Sequence, residues 1–295
     1  CGVIEKAQKV FDAISLRDIV LWNALIAGYA QCGLSNEAMT YYRRMQDESL
    51  SPDVVTFICI LKACSCAQSL KIGEETHVTI STQGFVGKDI VLSTALVDMY
   101  AKCGELRKAQ EVFDELSERN VISWNVLIAG YAQQKRSDEC LKCFRQMQAE
   151  GHLPDAATFI CILKVCGSIE SLNLGEEIYA DISKRRLLEK DVVLGIALVD
   201  MFVKCSQLAK AMEVFDKLPF HDVVSWTTLI GGHAQHDCSE DALNFFRKMQ
   251  NEGIMPNSVT YIAVLKACGS MGAIGKGREI HAMVLSEGLL GKDIY

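Results

Sequence analysis

The chain has 295 residues, of which 49% are apolar and 23% charged, a balance that excludes a disordered chain. Four prolines and 21 glycines exclude collagen-like and Pro-rich architectures, and apolar stretches such as Phe57 to Leu61 are too short to cross a bilayer. A formal net charge of −7 argues, taken alone, against a polyanionic ligand.

The chain opens at Cys1 with neither an initiator Met nor a basic, apolar leader, so it is expected to be a fragment whose targeting peptide is absent or removed. Residues 1–18 match 103–120 (Cys1 with Cys103, Val10 with Val112, Phe11 with Phe113) and read as the tail of a partial short repeat. Segment 19–53 then places Trp22, Leu25, Ile26 and Tyr29 at i, i+3, i+4 and i+7, the stripe of an amphipathic helix. Cys32-Gly33-Leu34-Ser35 predicts a turn, with Gly33 as the stop and Ser35 as the N-cap of a second helix. That helix carries Ala38, Tyr41, Tyr42 and Met45 on its stripe, and Pro52 closes the unit.

Segments 54–89 and 90–120 follow the same plan, giving lengths of 35, 36 and 31 residues and a total period of 102. The period returns as 121–155, 156–191 and 192–222, then as 223–257 and 258–293, with 294–295 beginning another short segment. Trp22, Trp124 and Trp226 keep the step, as do Gly28, Gly130 and Gly232, and Pro52, Pro154 and Pro256. Chance does not hold such a register over three periods. A single helix pair cannot bury its stripe, but stacked pairs can, so the expected fold is all-α with no need for strands.

The segment Ile-Val-Leu-Trp-Asn-Ala-Leu-Ile-Ala-Gly-Tyr-Ala, ending in Ser-Pro-Asp53, resembles the pentatricopeptide repeat. The order 35, 36, 31 is similar to the plant subclass that alternates standard, long and short motifs. Tetratricopeptide arrays have a period of about 34 and place their Trp and Pro marks differently. The resemblance implies a right-handed α-solenoid superhelix of stacked helix-turn-helix repeats. It also implies sequence-specific binding of single-stranded RNA, one base per repeat, read by the fifth and last residues of each motif. Unpaired bases expose their Watson–Crick edges to such side chains.

Carried onto this chain, the resemblance assigns Asn23 with Asp53 and Asn125 with Asp155 to uracil. It assigns Thr94 with Asn120 and Thr227 with Asn257 to adenine. Ile58/Asp89, Ile160/Asp191 and Ile262/Asp293 carry an apolar fifth residue that cannot pair with a base, and Ile196/Asp222 is expected to be degenerate. The implied target is U-x-A-U-x-x-A-x, 5′ to 3′. Val20, Val55, Val91, Ile122, Val193, Val224 and Val259 are the implied spacers between bases, with Ala157 departing from the pattern. Stiff β-branched side chains suit a spacer, although valine there could equally serve repeat–repeat contact. Asp and Asn before a helix could equally be plain caps.

Lys102 and Lys204 are the implied phosphate contacts, with Lys62, Lys164 and Lys266 recurring in the long motifs. Glu74, Glu75, Glu111, Glu115, Glu176 and Glu177 fall on second helices, so a basic lining inside an acidic shell would reconcile RNA with the net charge. Solvated lysines without a ligand are the alternative. Thirteen cysteines, an odd number and mostly phased, read as reduced thiols. Cys140 and Cys143 form one Cys-x-x-Cys without a partner pair, so no metal and no cofactor are expected.

No His is followed two residues on by Glu, and no Pro precedes Cys140, so the deaminase signature is missing and no catalytic residue is expected. Gly269 to Gly277 is a helix–helix turn rather than a phosphate loop. The resemblance points to the target-recognition part of an organellar C-to-U RNA editing factor, with the mitochondrion placed ahead of the chloroplast. The alternatives are an RNA stabilisation or processing factor, or a scaffold that binds multiple organellar RNA editing factor proteins through the long motifs. No membrane partner is expected. Truncated apolar ends would allow head-to-tail self-association.

Overall fold

Asp and Asn set the rhythm of the structure, because one of them caps the first helix of each pair from residue 19 onward. The computed structural model describes residues 2–286, and among these every regular element is an α-helix. The chain divides into two compact units, one ending at Pro154 and the other beginning at Asp155.

The first unit contains α1 (Gly2–Ala13), α2 (Ile19–Gln31), α3 (Ser35–Asp47), α4 (Val54–Ala67) and α5 (Leu70–Thr82). It continues with α6 (Ile90–Lys102), α7 (Leu106–Asp114), α8 (Val121–Gln133) and α9 (Ser137–Ala149). Helices α2, α4, α6 and α8 form one layer, each packed on the next. Helices α3, α5 and α7 form a second layer, each lying against its own first helix and the one that follows. The second unit repeats the plan. Its first layer is α10 (Ala156–Ser168), α12 (Val192–Lys204), α14 (Val223–Gln235) and α16 (Ser258–Ser270). Its second layer is α11 (Leu172–Lys184), α13 (Leu208–Asp216), α15 (Ser239–Asn251) and α17 (Ile274–Ser286).

The core is built from the residues that keep the 102-residue step. Trp22, Trp124 and Trp226 are buried, and each meets a phenylalanine of the preceding second helix edge-on. The ring centroids lie 4.7 Å apart for Phe11–Trp22, 4.6 Å for Phe113–Trp124 and 4.7 Å for Phe215–Trp226. Such pairs add about 0.5–1.5 kcal/mol beyond the area they bury. Between repeats the second layer is tied by Lys108–Glu74 and Lys210–Glu176 ion pairs, so part of the acidic shell is internally balanced.

The turn inside the first helix pair corrects one expectation. Gly33 does stop α2, at φ +73°, with its N–H bonded to Ala30 O and the Leu34 N–H bonded to Tyr29 O. These paired bonds satisfy the carbonyls left open at a helix end. Ser35, however, is not the N-cap. Leu34 holds that position without a side-chain bond, and Ser35 is the first helical residue with its hydroxyl buried and unpartnered. The chain re-enters a helix too quickly for the serine to reach back.

Candidate nucleic-acid interface

The second residue of each first helix lies on the solvent face. Val20, Val55, Val91 and Ile122 in the first unit are 52–68% exposed, and Val193, Val224 and Val259 in the second are 50–62% exposed. Ala157 is exposed as well. The helix residues two positions further on are buried, Trp22 and Phe57 among them, so exposure belongs to one face and not to frayed ends. Neighbouring repeats thus leave about half or more of each of these side chains uncovered. Within each unit they form a file of stiff, apolar side chains along the first helices.

Beside that file stand the fifth residues. Asn23 is buried, and its amide donates to Asp53 Oδ1 at 2.9 Å. The Thr56 hydroxyl donates to Asn23 Oδ1 at 2.6 Å, and the Thr56 N–H donates to Asp53 Oδ1 at 2.8 Å. Burial pushes the Asp53 carboxyl up, but the bonds from Thr56 and Asn23 outweigh it and hold the group below its ordinary range. Asp53 is thus the N-cap of α4 and the partner of Asn23 at once. Its Oδ1 carries all these bonds, and Oδ2 accepts none among the described residues.

The other pairs differ in how closely they are joined. Thr94 is half-buried and shares no hydrogen bond with Asn120, whose Oδ1 caps α8 through the Ser123 N–H at 2.9 Å. Asn125 is half-buried on α8 of the first unit, and Asp155 caps α10 at the start of the second through the Thr158 N–H at 2.9 Å. Thr227 and Asn257 are linked through Thr260: its hydroxyl lies 2.7 Å from Thr227 Oγ1, and Asn257 Oδ1 accepts from it at 2.9 Å. Asn257 caps α16, and Asp89, Asp191 and Asp222 cap α6, α12 and α14. The capping role is therefore real throughout, and in Asp53 it leaves the second carboxylate oxygen for another use.

Ile58, Ile160 and Ile196 are half-buried and Ile262 is exposed, while Asp293 lies outside the described residues. In the second unit the face opens into a cavity of about 340 Å³ between α12, α14 and α16. Val224 and Val259 form its sides, Thr227 and Asn257 line it, and Gly231 leaves its floor open. Pockets for small ligands start near this size, at about 300 Å³.

The basic residues are arranged less simply than the sequence suggests. Lys102 is exposed but donates to Asp98 at 2.8 Å, and Lys204 donates to Asp200 at 2.7 Å. Lys62, Lys164 and Lys266 are exposed and have no ion-pair partner among the described residues. The threonines that join Asn23 to Asp53 and Thr227 to Asn257 were missed from sequence, although Thr56 and Thr260, with Thr158, keep the 102-residue step three places after an Asp or Asn. That spacing is the signal of a reciprocal cap. Cys140 and Cys143 are both buried on α9, with the Cys140 thiol against Ile128 O.

The chain matches the PPR repeat family over residues 17–66, 119–168 and 221–270, and a PPR repeat over 91–121. It is 34% identical over 293 residues to the mitochondrial pentatricopeptide repeat-containing protein At1g06140 of Arabidopsis thaliana, covering 99% of this chain and 52% of that protein. The chloroplastic pentatricopeptide repeat-containing protein At4g18520 of Arabidopsis thaliana is 35% identical over 283 residues, covering 96% of this chain and 46% of the relative. The chain thus spans about half the length of these relatives. In fold it is similar to the crystal structure of PPR10 from maize, with a TM-score of 0.81 at 22% identity over 99% of this chain and 42% of that one. PPR10 in complex with an 18-nt psaJ RNA element aligns with a TM-score of 0.80 at 23% identity, over 98% of this chain and 44% of that one. Repeated family matches over more than half the chain, on a stack of helix pairs, place the chain in the pentatricopeptide repeat family.

Proposed function

We propose that this chain binds single-stranded RNA in a sequence-specific manner, one base per helix pair, and serves as the target-recognition part of an organellar C-to-U RNA editing factor of the alternating subclass. The observation that carries the reading is the exposed file of valines with polar pairs set between them, seen most completely in the slot from Val224 to Val259. A flat base enters between two stiff aliphatic side chains, and its Watson–Crick edge then faces Thr227 and Asn257. Uracil presents N3–H and O4, which suit the second oxygen of Asp53 and the amide of Asn23. Adenine presents N1 and an amino group, which suit the Asn257 amide and the Thr227 hydroxyl.

The target is U-x-A-U-x-x-A-x, 5′ to 3′, and any chemistry on the RNA is supplied outside this chain. The organelle names carried by the relatives and the RNA bound to PPR10 both support the reading. The test is a competition between oligoribonucleotides that differ only at the seventh base. Thr227→Asn with Asn257→Asp keeps the helix cap and moves the preference there from A to U, a change of about 1–3 kcal/mol by analogy with direct base readout. An unchanged order of preference with binding retained sinks the two-residue readout. Equal binding to duplex and single strand sinks the ligand class. No RNA binding at low salt, with tight binding to a multiple organellar RNA editing factor protein, would favour the scaffold instead.

A further inference from the structure

We infer that the long segments hold the RNA by its phosphates and not by its bases, through Lys62, Lys164 and Lys266. The inference rests on the RNA-binding reading above. On α4, Val55, Ile58 and Lys62 stand at i, i+3 and i+7, one face of the helix. Ala157, Ile160 and Lys164 repeat this on α10, and Val259, Ile262 and Lys266 on α16. An isoleucine has neither donor nor acceptor, so the fifth residue of these helices gives a base edge nothing to pair with. One turn further along the same face sits a lysine.

The charge around that lysine separates it from the others. Lys102 and Lys204 each close on a carboxylate of their own helix, so a phosphate approaching either meets Asp98 or Asp200 as well. The local sum of each pair is zero. Lys62, Lys164 and Lys266 have no carboxylate within ion-pair distance among the described residues, and a phosphate there meets an uncompensated positive charge. Release of counterions from the RNA follows net neutralisation of phosphate, so it should concentrate at the long segments. In a chain of net charge −7, each of these lysines sets an unpaired positive charge on the same face of its helix as the second and fifth residues. The work is thereby divided: the 35-residue segments and the 31-residue segment that carries Thr94 read bases, and the 36-residue segments grip the backbone between them.

The experiment measures affinity against salt for the full chain and an oligoribonucleotide carrying U-x-A-U-x-x-A-x, with cytosine at each x. Each phosphate contact on a single strand contributes about 0.7 to the slope of log K against log salt. The triple variant Lys62→Gln, Lys164→Gln, Lys266→Gln is expected to lower that slope by about 2 and to leave the order of base preference intact. Lys102→Gln with Lys204→Gln is expected to lower it by less than about 0.7 in total. All five side chains are exposed, and circular dichroism of each variant establishes that the helices persist. A triple variant with the parent's slope, or an equal loss per lysine in the two variants, overturns the division of labour while RNA binding stands. A parent chain that does not bind single-stranded RNA at low salt overturns both.

Discussion

At the scale of single residues, Asp53 shows how one side chain serves both as a helix cap and as the partner of a buried amide. Asp53→Ala removes the acceptor of the Thr56 N–H and of the buried Asn23 amide together. The expected cost is about 1–3 kcal/mol, from a lost cap and an unsatisfied amide, read as a drop in the denaturation midpoint. Because hydrogen bonds hold the folded carboxyl below its ordinary range, its stabilisation is complete above the unfolded value, near 3.9. It is lost as the pH falls from there through the folded value. Asp53→Asn keeps the cap, and the difference in stability between parent and variant should shrink in that acid window; a difference constant from neutral pH to pH 3 would argue against the coupling. Much of this was legible in the sequence as Asp and Asn before helices. What was hidden is that Thr56 bonds both members of the pair, because the Asn23 and Asp53 positions lie 30 residues apart and only the stacked fold brings them together.

At the scale of helices, two adjacent glycines of α14 make opposite predictions. A Cβ on Gly232 would lie 2.6 Å from both Val203 methyls and 3.2 Å from its Cβ, a branched group that cannot swing aside. Gly232→Ala is expected to destabilise by about 1–3 kcal/mol through overpacking, less about 1 kcal/mol of helix propensity. A Cβ on Gly231 meets nothing, so Gly231→Ala should be neutral or stabilising by up to about 1 kcal/mol. Thermal melting of the two variants checks the contrast, and equal shifts would mean that α12 and α14 do not approach as described. The helices themselves were legible because each stripe has the same period and sees the same neighbour in every repeat. Ser35 was misread by one place: α3 already begins at Ser35, and the N-cap position falls to Leu34, whose side chain has no acceptor. The Lys102–Asp98 pairing had a sequence signal, opposite charges four apart on one helix, whereas the exposure of the valines had none, since it depends on which face the next repeat covers.

At the scale of the whole molecule, among the described residues each helix packs within its unit on helices one or two places away along the chain. Stability is then close to a sum of local terms, and unfolding should be weakly cooperative, with end helices opening before central ones. Hydrogen exchange that finds α1 as protected as α6 would contradict this. The phased thiols give such opening a chemical clock. Burial pushes the Cys64 and Cys166 thiols up to about 12, leaving almost no thiolate at neutral pH, while Cys32 and Cys66 face solvent. A buried thiol of this kind can be alkylated only in molecules whose local helices have parted, so its labelling rate counts those moments. The repeats that stack the array also seed it with timers at fixed intervals, and a bound strand that clamps neighbouring helices would be read as a slowing of each one in turn.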